Sequence, residues 1–345
     1  MRVVRRFTIT SLLSNKEDIM IKIVVDTKGG DKGPSVIIKG AQQALEKYEN
    51  LSVLLAGDGE LIKKECDSLA MPMDRVEILD APLEITNYDS PADAIFHKTD
   101  SSMLKGLKSL SEREDLFGMV TLGNTGVLLT GAMRHLSGKD RVRPALAAVL
   151  PAANGGFTCL VDTGATIDCT SQMLHHFARL GSDFMRQTYA IDSPKIGLLS
   201  NGAESSKGNK LVKETYPLLE ADESLNFVGN IEGNNALSGD CDVLVCDGFA
   251  GNQVMKVTEG TATRIITDIM KYAHRTGSQE VMKLGLHLME VYDIGSLGGA
   301  IILGVTKPCI KARGNAGEKA ILSISGMLMN MAENKAMFDK EKNKI

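Results

Sequence analysis

A three-layer α/β/α sandwich, built on a doubly wound and mostly parallel sheet, is the fold this chain predicts. Three observations point to it. Short runs of apolar, largely β-branched residues recur along the chain. Each run ends in a loop of Gly, Asp, Asn or Thr, and each loop opens a segment with the helical spacing of apolar residues. Continuous apolar strands that alternate with helices pair in parallel through right-handed crossovers.

The units follow one another from Met20. IKIVVDTKGGDKG is the first such unit and LSVLLAGDGELIKKECDSL the second. LFGMVTLGNTGVLLTGAMRHL, GFTCLVDTGATIDCTSQMLHHFARL, KIGLLSNGAESSKGNKLVKETYPLLE and CDVLVCDGFAGNQVMKVTEG follow, and the apolar runs end in the loops DTKGGD, GNTG, DTGATID, NGAESSKGN and DGFAGN. In such sheets ligands bind beyond the carboxyl ends of the strands, so these loops are expected to gather at one crevice. Residues 20–335 read as a single domain with no clear linker, residues 1–19 as an N-terminal extension without fixed structure, and 336–345 as a charged tail. Within 261–292, Val281, Leu284, Leu288 and Val291 fall on one helical face, widened by Met282, Leu286 and Met289. Such a face needs cover, from a second copy of the chain or from peripheral contact with lipid.

Composition limits the function. The 345 residues carry a net charge of −4 with 43% hydrophobic content, ordinary for a globular protein and without a nucleic-acid footprint. No run approaches the roughly 20 apolar residues of a spanning helix. The six cysteines show no CxxC spacing, which suggests a reducing, cytoplasmic setting with neither disulfides nor zinc. The spacing calls for no metal and no cofactor.

Four stretches can carry chemistry. Gly123, Asn124, Thr125 and Gly126 form a strand-to-helix turn whose backbone N–H groups and helix dipole suit an anion. In 200–210, Lys207 is a point charge for phosphate, with Asn201 and Asn209 beside it and Glu204 as a base or as its partner. Acids stand at strand ends: Asp26, Asp31, Asp162, Asp168 and Asp247, with Gly30, Gly248 and Asn252 in the same loops. A single such acid is most simply a helix cap. Finally, Lys98 and Asp100 of SPADAIFHKTDSS are within reach of a cleft. No GxSxG elbow is present, and Cys169 lacks a paired base. AGDGELI is not a dinucleotide fingerprint.

Taken in order, these motifs resemble the PlsX family, the phosphate acyltransferases of bacterial phospholipid synthesis. VVDTKGGD is similar to the family's VDAMGGD, GNTGVLL to GNTGALL, RPALAAVLP to RPALAxxxP, and VDTGATIDC to LDxGANxDC. SPADAIFHKTDSSM, NGAESSKGN, GNIEG, LVCDGFAGN and GGAIILGV complete a set that runs from Met20 to the last helix. The resemblance implies a fold like that of phosphotransacetylases and isopropylmalate dehydrogenases, a homodimer, and transfer of an acyl group from acyl carrier protein to inorganic phosphate. It places phosphate at Gly123–Gly126 and Lys207, has Asn201, Glu204, Asn209 and Asp247 orient the reacting groups, and has Asp26, Asp31, Lys98 and Asp168 frame the cleft. Lys139, Arg141 and Arg143 are candidates for docking an acidic carrier protein. A coenzyme A thioester donor and a non-catalytic, anion-binding homologue are the alternatives. The departures from the family pattern fall in loops: Lys28 in the first, Ala203 and Ser205 in NGAESSKGN, and Arg313 in the KARG stretch.

Overall fold

The computed structural model describes residues 20–138, 142–292 and 299–342. Its sheet has eleven strands. In chain order they are β1 (Ile21–Asp26), β2 (Leu51–Gly57), β3 (Val76–Asp80), β4 (Leu116–Thr121), β5 (Ala145–Pro151), β6 (Phe157–Val161), β7 (Lys195–Ser200), β8 (Asn226–Glu232), β9 (Val243–Val245), β10 (Ala300–Leu303) and β11 (Cys309–Lys311). They lie side by side in the order β3-β2-β1-β4-β11-β10-β5-β6-β9-β7-β8. The helices are α1 (Pro34–Lys47), α2 (Gly59–Ser68), α3 (Pro91–His97), α4 (Ser102–Glu112), α5 (Thr125–His135), α6 (Ser171–Tyr189), α7 (Lys210–Glu220), α8 (Gly248–Thr276), α9 (Gln279–Tyr292) and α10 (Glu318–Lys342).

The expected strand–loop–helix units are present, and the sheet is mostly parallel. Its centre is not: β11–β10, β10–β5 and β5–β6 pair antiparallel. The reason is loop length. Residues 152–156 join β5 to β6, and a parallel return needs a crossover of a dozen or more residues. Gly155, with φ of 82°, makes this turn, and Asn154 Oδ1 accepts from Gly156 N. Two parallel halves of opposite polarity therefore meet in the middle of one sheet.

Alternation along the strands sets the layers. In β1, Ile23 and Val25 join the core beneath α1, α6 and α10, with Phe177 and Ile321. Val24 faces the other side, beneath α4 and α5, with Leu107, Met119 and Leu128. Farther along that second face, Leu150, Leu160 and Leu244 pack against Ala250, Val254 and Met255 of α8. Small polar residues after the strands start the helices. Asp58, Asn124, Thr170, Asn209 and Asp247 each accept from a backbone N–H of the first turn, each stabilising its helix by about 1 kcal/mol. The stretch 261–292 is the end of α8 and the whole of α9, which pack on each other across Gly277. Leu284, Leu286 and Met289 remain exposed on α9.

One ion cluster joins α6 to the end of α7. Asp222, its side chain 7% exposed, accepts from His175 Nε2 and Arg179 Nε, each at 2.7 Å, and from Ser224. These donors, Arg179 foremost, hold its carboxyl well below the usual range. A depressed folded-state pKa stabilises the fold above the unfolded value near 3.9 and is lost as pH falls through the folded one. Asp222→Ala is expected to cost about 2 kcal/mol at neutral pH, and urea midpoints of variant and wild type should converge in strong acid.

Candidate functional site

The carboxyl ends of β1 and β4 build one wall of the site. Asp26 is wholly buried there, its Oδ1 accepting from Ser102 Oγ at 2.6 Å and its Oδ2 from Thr121 Oγ1 at 2.6 Å. Burial pushes its carboxyl above the ordinary value, against the pull of these hydroxyls. Thr121 Oγ1 in turn accepts from Gly123 N at 2.9 Å. The loops after β1 and β4 are pressed together, since a Cβ on Gly29 would lie 2.7 Å from both Asp26 Oδ2 and Gly123 N. Gly30 packs against Leu122 and Ile37, and Asp31 N donates to Gly314 O.

Asn124 serves the architecture. Its Oδ1 caps α5 through Val127 N, and its Nδ2 donates to Thr86 O and Asp89 O, each at 3.1 Å. The N–H groups of Thr125 and Gly126, in the first turn of α5, have no acceptor inside the helix. Backbone N–H groups left over at a helix N-terminus are of the kind that suits an anion. Lys98 is a strut beside it, donating to Asp89 at 2.8 Å and to Glu84 O at 2.9 Å. Asp100 lies on the surface, 3.6 Å from Lys105.

The second wall follows β6, β9 and β7. Asp162 is wholly buried and folds its own loop, accepting backbone N–H bonds from Leu146, Gly164, Ala165 and Thr166. Asp247 caps α8, Gly248 N donates to Thr166 O, and Asn252 Nδ2 donates to Thr163 O. Asp168 is exposed. In the 201–209 loop, Asn201 Oδ1 accepts from Gly208 N, Asn230 Nδ2 holds Glu204 O, and Asn209 caps α7. Glu204 and Lys207 are exposed; Lys207 N donates to Glu204 O at 3.0 Å, and no ion pair is formed between the two side chains. Both reach solvent from an exposed loop, where pairing two flexible side chains gains little.

The two walls stand on oppositely directed strands. Six steps, about 4.8 Å each, separate β4 from β7 along the sheet. A strand twist of about 20–25° per step rotates the second half relative to the first. One helix links the walls. Its N-cap Asp247 belongs to the second, while Glu259, three turns on, pairs with Arg313 beside the Asp31 loop. At 1.5 Å per residue that span is roughly 17 Å. A cavity of about 180 Å³ brings Gly126 and Thr130 of α5 against Arg143, Pro144 and Ala165. A larger one of about 490 Å³ is lined by Lys28, Gly30, Asp31, Glu84 and Tyr88. The 201–209 loop lines neither.

The sequence reading passed over three residues. Arg143, offered only for docking, donates from Nε to Thr166 Oγ1 at 2.8 Å inside the site; its docking companions Lys139 and Arg141 lie outside the described residues. Thr121 ends an apolar run in the sequence, which hides its role. Lys311, at the end of β11, is half-buried next to Thr121. A lysine closing a short apolar run was the available signal. No thiol is poised as a nucleophile: burial pushes Cys169 up to about 11 and Cys159, Cys241 and Cys309 up to about 12. No helix among the described residues is long and apolar enough to cross a membrane.

Known proteins share both sequence and fold with this chain. The family described as "Fatty acid synthesis protein" matches residues 21–335. A "Phosphate acyltransferase" of Halothermothrix orenii is 37% identical, covering 87% of this chain and 92% of its own length. One of Streptococcus pneumoniae is 38% identical over 91% and 96%. The fold is similar to a phosphotransacetylase from Streptococcus pyogenes, with a TM-score of 0.62 at 17% identity over 92% of this chain and 95% of that one.

Proposed function

The chain belongs to the PlsX family of phosphate acyltransferases, and from that premise we propose that this acyltransferase moves a fatty acyl group from acyl carrier protein to inorganic phosphate. A phosphate oxygen attacks the thioester carbonyl carbon, the C–S bond breaks, and the thiolate leaves with the electron pair to take up a proton. The products are acyl phosphate and free carrier protein. A leaving thiol with a pKa near 8.5 needs little help, and the nucleophile is the substrate itself. Catalysis then reduces to holding phosphate beside the thioester, worth about 7–11 kcal/mol through orientation, and to stabilising the oxyanion.

The observation that carries this reading is the open first turn of α5, rigidly placed by the three hydrogen bonds of Asn124. Thr125 and Gly126 hold phosphate there, with Gly123 shaping the turn. Lys207, Glu204, Asn201 and Asp247 act from the second wall on the donor, and Asp26, Asp31 and Asp168 frame the opening. The protein works as a homodimer, with the exposed side chains of α9 covered by the second copy or resting on a membrane surface.

The test mixes purified protein, palmitoyl–acyl carrier protein and phosphate, and traps acyl phosphate with hydroxylamine. Hydroxamate that saturates with phosphate is expected. No hydroxamate above background would mean an anion-binding homologue, and equal rates with palmitoyl-coenzyme A would mean a coenzyme A donor. Asn124→Ala removes a cap and two tethers, so it is expected to cost about 1–2 kcal/mol and to raise the phosphate KM at least about tenfold.

A further inference from the structure

We propose that Lys311 is the cation that meets the anion bound at the N-terminus of α5, and that this anion is the phosphate of the reaction proposed above, on which the inference rests.

Strand register places it there. Thr121, Lys311, Ala300 and Ala148 are paired across neighbouring strands in one row, and Asp26 joins it through its hydrogen bond from Thr121. Residues paired in this way project to the same face, and the Thr121–Asp26 hydrogen bond shows which face it is. It is the face that carries α4, α5 and α8. On it, α5 packs with α3 and α4, whereas α8 packs on β6 and α9. Further along, α8 comes to the end of β11, where Lys256 acts on Lys311 and Glu259 pairs with Arg313. Next to Lys311 the row is small, at Ala300 and Ala148. Thr121, the neighbour of Lys311 about 4.8 Å away, is two residues before Gly123. Lys311 thus stands one strand away from the residue that leads into the turn at Gly123–Gly126.

Lys311 also lacks a counter-ion. Its Nζ donates to Ala312 O at 3.0 Å, and no carboxylate among the described residues forms an ion pair with it. Glu259 of α8 pairs with Arg313, two residues further on. The charges that act on Lys311 are Asp31 from the loop after β1 and Lys256 from α8. Burial, with Lys256 adding to it, pulls the ammonium below its ordinary value, and Asp31 only partly offsets this. A half-buried ammonium without a paired carboxylate is stabilised by an arriving anion. This differs from Lys98, which is already paired, and from Lys207, which stands in solvent.

The experiment measures phosphate binding by calorimetry without any acyl donor, and separately the KM for phosphate and for palmitoyl–acyl carrier protein, in wild type, Lys311→Gln and Lys311→Arg. Phosphate affinity is expected to fall at least about tenfold in Lys311→Gln, to recover largely in Lys311→Arg, and to leave the donor KM unchanged. Wild-type phosphate affinity should also decline with rising pH before the ordinary lysine range is reached, and Lys311→Arg should move that decline upward. This readout stands even where Lys311→Gln does not fold. Equal phosphate affinity in wild type and Lys311→Gln, or an unshifted pH profile in Lys311→Arg, overturns the inference. Phosphate binding through Lys311 without acyl phosphate formation would retain the anion site and overturn the reaction instead.

Discussion

Gly251→Ala is expected to destabilise the protein by at least about 3 kcal/mol and to abolish activity at temperatures where wild type is folded. Gly251 lies in the first turn of α8, and a Cβ there would overlap the carbonyl oxygen of Asp162 and come within 2.8 Å of Cys246 Sγ. Neither neighbour can yield. Asp162 is pinned by the four backbone N–H groups it accepts, and Cys246 is buried at the end of the adjacent strand. The clash must lift the start of α8 away from the loop that Gly248 and Asn252 hold. Because α8 also carries Glu259 to Arg313, the displacement reaches the other wall. Chemical denaturation followed by far-ultraviolet circular dichroism checks the stability, and a midpoint within error of wild type would contradict the packing.

The second large effect is expected at Asp26. Asp26→Ala strands the hydroxyls of Ser102 and Thr121, both buried, and frees the residue that positions Gly123. Two unsatisfied buried donors cost about 3 kcal/mol together. Loosening of the 121–124 loop by even about 1 Å is enough for a rate loss of roughly a hundredfold. Asp26→Asn separates charge from shape. With its pKa raised by burial, Asp26 contributes most to stability below the unfolded value near 3.9, and that contribution is lost as pH rises through the folded value. An uncharged asparagine does not suffer this loss. Between pH 4 and pH 8 the stability difference should therefore move in favour of Asp26→Asn, as read from urea midpoints at each pH. A difference independent of pH would show that the carboxyl keeps its ordinary pKa.

Much of this arrangement is legible in the linear chain. The strand IKIVVD, its glycine loop and the helix behind it are neighbours in sequence and in space, so apolar periodicity and turn chemistry reveal them together. The same holds for the turn at Gly123–Gly126 and its helix. The roles of individual polar residues are less legible. Asn124, Asn209 and Asp247 read equally well as ligand-binding groups and as helix caps, and the structure shows their oxygens committed to caps. Ala-Asn-Gly-Gly at 153–156 was a hairpin signal, but the apolar run before it looks the same whether it pairs parallel or antiparallel. Lys311 is the clearest case: its place at the close of a short apolar run is a faint mark, and the strand that it stands beside lies far away in the chain.

Periodicity, capping and turn preferences act within about ten residues, so the repeating strand–loop–helix unit and the glycine-bearing ends of its strands are written locally in the chain. The direction of each half of the sheet, the burial of particular carboxylates and the place of residue 311 beside residue 121 are set by long-range contacts. Burial and strand neighbours depend on contacts between segments far apart in the chain, and the charge of a side chain becomes functional only once those contacts have taken away its water.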